Sequence, residues 1–291
     1  MRFALRPGAL LLVVIGAMSA CTAPGVSLPF SEPAAAVVDG HTITMKAYHA
    51  RLEVSRHRDP FVGIPEAMPS PAPPQRLQAF TIEQLVREEI VRQEAEKRGI
   101  GVSDRAVQTR IDALKSRSGA ATFVAALQRN GFTTESFNAY QRALLIEVAL
   151  LHAMAKDRAD AAARELKAGQ AFTAVAARWS DDTGTYARGG DAGWLGPADI
   201  PEPALAAAVQ SLDVGRASGI LATNRGYVIA TLLERRNDQA HLAVILVLAP
   251  AVDLFSPQGT PSWFTLFIDG REAALRRAGR IELKVLNHAG A

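Results

Sequence analysis

Two adjacent carboxylates, Asp181 and Asp182, stand at the head of SDDTGTYARGGDAGW, the segment from Ser180 to Trp194. A carboxylate pair can share acid and base work, but aspartates leading a run of turn residues serve more simply as loop caps. Gly189, Gly190 and Gly193, grouped around Asp191, ask the backbone to visit positive φ more than once, which glycine does at least cost. Arg188 ahead of them supplies a cation, and Trp194 behind them an aromatic anchor. Other polar chemistry is sparse. The six histidines (His41, His49, His57, His152, His241 and His288) form no HxxxH pair and have no cysteine partner, so no metal site is expected. Neither a GxSxG nucleophile turn nor a phosphate loop is present, and no cofactor is expected.

The only cysteine, Cys21, follows a positive front at Arg2 and Arg6 and an apolar run from Ala9 to Met18. That run is too short to span a bilayer as a mature helix, and residues 1–21 read as a signal segment. One cysteine cannot form an internal disulfide, so the rest of the fold needs no oxidising compartment. Without the signal segment, 30 basic residues face 29 acidic ones. That balance argues against nucleic acid as a partner. The remaining 270 residues suffice for two modest cores.

The elements that must hold the glycine loop follow from periodicity. Residues 22–36 form a tether. VVDGHTIT reads as two short strands about an Asp39-Gly40 turn, with Thr44 capping a helix to about Arg58. Six prolines between Pro60 and Pro74 predict an extended insertion. Thr81 and Gln84 read as the capping box of a helix ending at Gly99. Ser103 caps another, a short one runs from Ala121 to Gln128, and Thr133 or Thr134 opens a long one through Leu151. Near the other end, Trp263 to Ala278 reads as an amphipathic helix and Arg280 to Leu286 as a strand.

The segment from Ser180 to Trp194 resembles the active-site loop of parvulin-type peptidyl-prolyl isomerases, where SDDPG precedes a GGDLGW-like turn. ELKAGQAF upstream, with Gly215 and GYVIATLLERR downstream, extends the resemblance to about 75 residues. The helical run before it is similar to the amino-terminal domain of SurA/PrsA-type periplasmic foldases. The residues around Cys21 (Met18, Ser19 and Ala20 before it) resemble a bacterial lipobox, with acylation at Cys21. Thr22 in the next position implies the outer membrane, on its periplasmic face. The resemblance implies an α+β protein. A helical chaperone domain at 37–156, completed by residues 251–291 folding back on it, would carry an inserted parvulin-like antiparallel sheet at 157–250.

Parvulins begin with a central strand of the type HILV, yet Leu151 to Arg164 runs from helix into helix. A sheet lacking its central strand would leave two rows of backbone groups unpaired. AHLAVILVLAP, Ala240 to Pro250, is β-branched, apolar and bounded by proline. The expectation is a permuted sheet in which Val244 to Leu248 fills the slot beside Tyr227 to Glu234.

Carried over position by position, the family's pocket is degenerate. Asp182 matches its cysteine or aspartate. The histidine after Gly-Tyr is Val228, and the aromatic before that glycine is Arg225. The methionine position holds Asp199 and the pocket phenylalanine Pro203. With VILV standing for HILV, the second histidine is Val244. The resemblance therefore implies a lipid-tethered chaperone for unfolded or exported polypeptides, with its catalytic pocket degraded and its isomerase activity feeble or absent. The alternatives are a working isomerase and an accessory subunit of an envelope or exopolysaccharide export assembly.

Overall fold

A computed structural model describes residues 32–57, 74–200, 202–250 and 260–285. The expected signal segment with Cys21, most of the expected tether and nearly all of the expected proline-rich insertion lie outside the described residues. Strands β1 (Ala34–Val38) and β2 (His41–Thr44) form a hairpin about Asp39 and Gly40, whose φ values are 53° and 84°. Thr44 then caps helix α1 (Met45–His57), its hydroxyl accepting the Ala47 N–H at 3.2 Å.

Helix α2 (Pro74–Glu96) corrects the expected capping box. The helix already begins at Pro74, a residue whose missing N–H suits the first turn. Thr81 lies inside it, fully buried, and its hydroxyl donates to Ser55 Oγ at 2.9 Å. Helices α3 (Asp104–Ser118) and α4 (Ala120–Arg129) form a small lobe, and Ser103 caps the first as its sequence suggests.

Helix α5 (Thr134–Lys167) is 34 residues long, about 50 Å, and opens with a reciprocal cap between Thr133 and Ser136. It passes through the span where a parvulin strand is missing. Leu150 and Leu151 pack in the main core with α2, whereas Ala162 lies against helix α6 (Phe172–Trp179) and the second sheet. The main core adds Phe264 and Ile268 from helix α8 (Ser262–Arg277). Strand β7 (Ile281–Leu283) follows and pairs antiparallel with β1, giving the order β2-β1-β7.

The second sheet comprises β3 (Asp191–Leu195), β4 (Leu221–Thr223), β5 (Gly226–Arg236) and β6 (Gln239–Leu248), in the order β3-β6-β5-β4. β6 is central and antiparallel to both neighbours. A two-residue turn, Asn237 and Asp238, joins it to β5, with Asn237 at φ 51° and Arg236 facing Gln239. The late apolar ribbon thus occupies the slot that the permutation requires. One face of the sheet packs Val228, Leu232, Leu242 and Leu246 on Leu205 and Val209 of helix α7 (Pro203–Ser211). The other packs Ile229 and Ile245 on α5 and α6. Among the described residues, no helix is long and apolar enough to cross a membrane.

Candidate functional site

The loop after α6 completes the β6 ladder where β3 stops. Gly190 O accepts the Val244 N–H at 2.7 Å, Ser180 Oγ accepts that of Leu246 at 3.2 Å, and Asp181 Oδ2 accepts that of Leu248 at 2.9 Å. In return, the Asp181 N–H donates to the Leu246 carbonyl at 2.7 Å. Each bond satisfies a backbone group that a central strand buries. Gly190 is required by this approach: its φ is 89°, and a Cβ there would stand 2.5 Å from the Val244 oxygen.

The two loop carboxylates have separate roles. Asp181 turns inward toward Arg158 of α5, whose guanidinium donates to Oδ1 at 3.3 Å. That guanidinium also lies 5.4 Å from the Trp179 ring centroid and 4.9 Å from that of Trp263. Burial pushes the Asp181 carboxyl up, opposed by the Leu248 N–H and by Arg158. Burial pushes Arg158 down, opposed by the charge of Asp181. Asp182 instead serves its own loop, accepting the Thr185 hydroxyl at 2.7 Å and the Gly184 N–H at 3.3 Å.

Val228 is buried and faces Leu246 directly across β5 and β6. Val244 lies on the same face, diagonal to Val228, because it pairs with Ala230. The two positions therefore come together in an apolar layer under α7, where neither side chain can move a proton. The structure does not bring the other matched positions there as pocket walls. Asp199 is exposed and accepts the Gly196 N–H at 2.9 Å in the turn before α7. Pro203 is exposed at the start of that helix. Arg225 is exposed in the β4–β5 turn, and its carbonyl accepts the Ala249 N–H at 2.9 Å.

His241, an odd-numbered position of β6, points to the opposite face from Val244. Its Nε2 lies 2.8 Å from Asp191 Oδ1, and its ring stacks on Trp194 at 5.2 Å. Arg236 covers Trp194 at 4.6 Å from the ring centroid. The Gly193 N–H, and after it His241, hold Asp191 below the usual carboxylate range. Arg188 donates to the Asp191 carbonyl at 3.2 Å, and Gly189 takes the left-handed conformation at φ 67°. These groups fasten the glycine loop to β6. Arg158 and Trp263 were invisible to motif reading, since α5 brings the guanidinium to Asp181 and α8 brings the indole to that guanidinium. Among the described residues, no group of histidine, cysteine and acidic side chains could hold a metal ion.

A profile described as the SurA-like N-terminal domain matches residues 4–151, more than half of the chain. The chain belongs to this SurA-like family. A second profile, the PPIC-type PPIASE domain, matches residues 148–234 and ends before β6 begins. The SurA-like chain is 23% identical to Chaperone SurA of Chromobacterium violaceum over 283 residues, covering 80% of this chain and 64% of that protein. It is 37% identical to Chaperone SurA of Chromohalobacter salexigens over 83 residues, or 27% of this chain and 19% of that one. It thus spans less than two thirds of the length of these curated relatives. Among solved structures, it is similar to the foldase protein PrsA of Streptococcus pneumoniae, with 14% identity and a TM-score of 0.26. That alignment covers 83% of this chain and 85% of that one.

Proposed function

We propose that this SurA-like chain is an extracytoplasmic holding chaperone, tethered by lipid at Cys21 on the periplasmic face of the outer membrane. It binds unfolded or exported polypeptides through a helical domain at 37–156, closed by residues 251–291. The parvulin-like domain at 157–250 binds polypeptide without turning over proline bonds. The observation that carries this reading is Val228 facing Leu246 where the family's pocket holds an imidazole.

A prolyl bond isomerises without a nucleophile, over a barrier of about 18–20 kcal/mol for an ordinary peptide bond. Catalysis requires groups that stabilise the twisted amide more than the planar one. Valine and leucine provide dispersion but no directed hydrogen bond, and Asp182 is occupied by Thr185 and Gly184. Binding of extended apolar polypeptide survives such losses. Two assays separate the activities. Light scattering of an aggregating unfolded client should fall in the presence of the protein, while a proline-limited refolding reaction should keep its uncatalysed rate. A catalysed rate abolished by Asp182→Ala would overturn the proposal.

A further inference from the structure

The α3–α4 lobe holds a small core of its own beside α5: Val107, Ile111, Phe123 and Leu127 are buried there, apart from the main core. Between α4 and the start of α5 it leaves a cavity of about 220 Å³ open to the surface. Its walls include Leu114, Phe123, Ala126, Leu127, Phe132 and Phe137. Phe137 meets Phe123 and Phe132 edge to face, with centroids 5.5 and 5.3 Å apart, so the rings brace the cavity against collapse. Ser118, Thr122 and Asn130 complete the lining, and the Ser118 hydroxyl and Asn130 amide already donate to the Leu114 and Ala126 carbonyls, so water in the recess finds few partners.

Charge beside the recess favours one kind of entrant. Residues 104–129 carry five arginines and lysines against Asp104 and Asp112; of these, Lys115 and Arg129 adjoin the wall residues Leu114 and Asn130, whereas Arg110 donates to Gln141 of α5. The nearby acids are engaged: Asp104 pairs with Arg142, Glu135 with Lys46 and Glu53 with Arg56, while Asp112 accepts the Gln108 amide. Lys115 lies 5.7 Å from the Phe123 ring centroid, at the wall of the recess.

We infer that this recess is a client-anchoring site for a polypeptide segment bearing one large apolar side chain flanked by carboxylates. The apolar side chain fills the recess, and the flanking acids meet the basic rim. This assignment rests on the chaperone reading and names the client class for one part of the surface.

The test uses short fluorescein-labelled peptides with the full chain, read by anisotropy. One carries a central phenylalanine between aspartates, a second has lysines in place of the aspartates, and a third has serine in place of the phenylalanine. The first should bind about tenfold tighter than either of the others, and raised salt should shrink its advantage over the lysine peptide. Ala126→Phe, which plugs the recess, should weaken the first peptide about tenfold. The double variant Lys115→Glu/Arg129→Glu replaces no buried residue and should invert the order of the aspartate and lysine peptides. Equal binding of those two, binding of neither, or unchanged affinity in both variants overturns the assignment. Client scattering distinguishes the underlying reading: suppression without peptide preference rejects only the recess, whereas loss of suppression with the preference retained rejects the chaperone activity.

Discussion

Asp181 holds Leu248 in register: its Oδ2 accepts the Leu248 N–H at 2.9 Å, two residues along β6 from the Leu246 carbonyl that its own N–H meets. A side chain from the glycine-loop region thus acts as an edge for the last part of the central strand. The same carboxylate faces Arg158, so strand register, loop position and helix α5 share one anion.

Replacing that anion should therefore be more damaging than replacing its neighbour. Asp181→Ala leaves the Leu248 N–H without its acceptor and the Arg158 guanidinium with only the Trp179 carbonyl, and should destabilise by about 2–4 kcal/mol. Asp182→Ala removes only local loop bonds and should cost about 1 kcal/mol. Urea unfolding of both variants measures the difference.

The pH dependence follows from the raised Asp181 pKa. Between its unfolded value and its higher folded value, the folded state binds more protons. The contribution of this group is complete below the unfolded pKa and is lost as pH rises through the folded one. Asp181→Asn should remove that slope, so the stability difference between wild type and variant should change with pH across this window and level off above it. Urea midpoints taken through the acid range give the comparison.

Two glycines with positive φ should respond unequally to alanine. Gly226 has φ 138°, and a Cβ there would collide with the Val247 carbonyl, so Gly226→Ala should cost about 3 kcal/mol or more. Gly193 has φ 77° with nothing within 4 Å, so Gly193→Ala should cost about 1 kcal/mol. A reversed ranking in thermal unfolding would count against the close passage of β6.

On the proposed reading, an imidazole introduced at position 228 should not bring isomerase turnover. Val228→His places a polar ring against Leu246 in the layer under α7 and should destabilise by about 1–3 kcal/mol at neutral pH. The loss should deepen in acid, where the ring must charge. Urea unfolding on either side of the imidazole range, together with the proline-limited refolding assay, checks both statements.

How far the sequence disclosed these arrangements depends on the range of the forces involved. The place of β6 was legible because two local facts had to agree: helix through Leu151 to Arg164, and an apolar β-branched run after a tight turn. Ser103 and Thr44 were legible as caps, and Thr133 as one of two candidates with Thr134, because their partners lie within three residues. Thr81 misled because its partner, Ser55, lies 26 residues back on α1, and a tertiary bond overrode the local pattern. The division of labour between Asp181 and Asp182 was hidden for the same reason. Adjacent, chemically identical residues were sorted only by what packs beside them.

The turn at Asn237 and Asp238 also bears on how the sheet forms. A central strand placed before the first helix must find its partner across most of a domain, a slow search through chain configurations. Here the middle of the sheet and its longest neighbour are consecutive, so their pairing has low contact order and can zip from the bend within microseconds, the range of isolated hairpins. The outer strands and the glycine loop then assemble on a template already made.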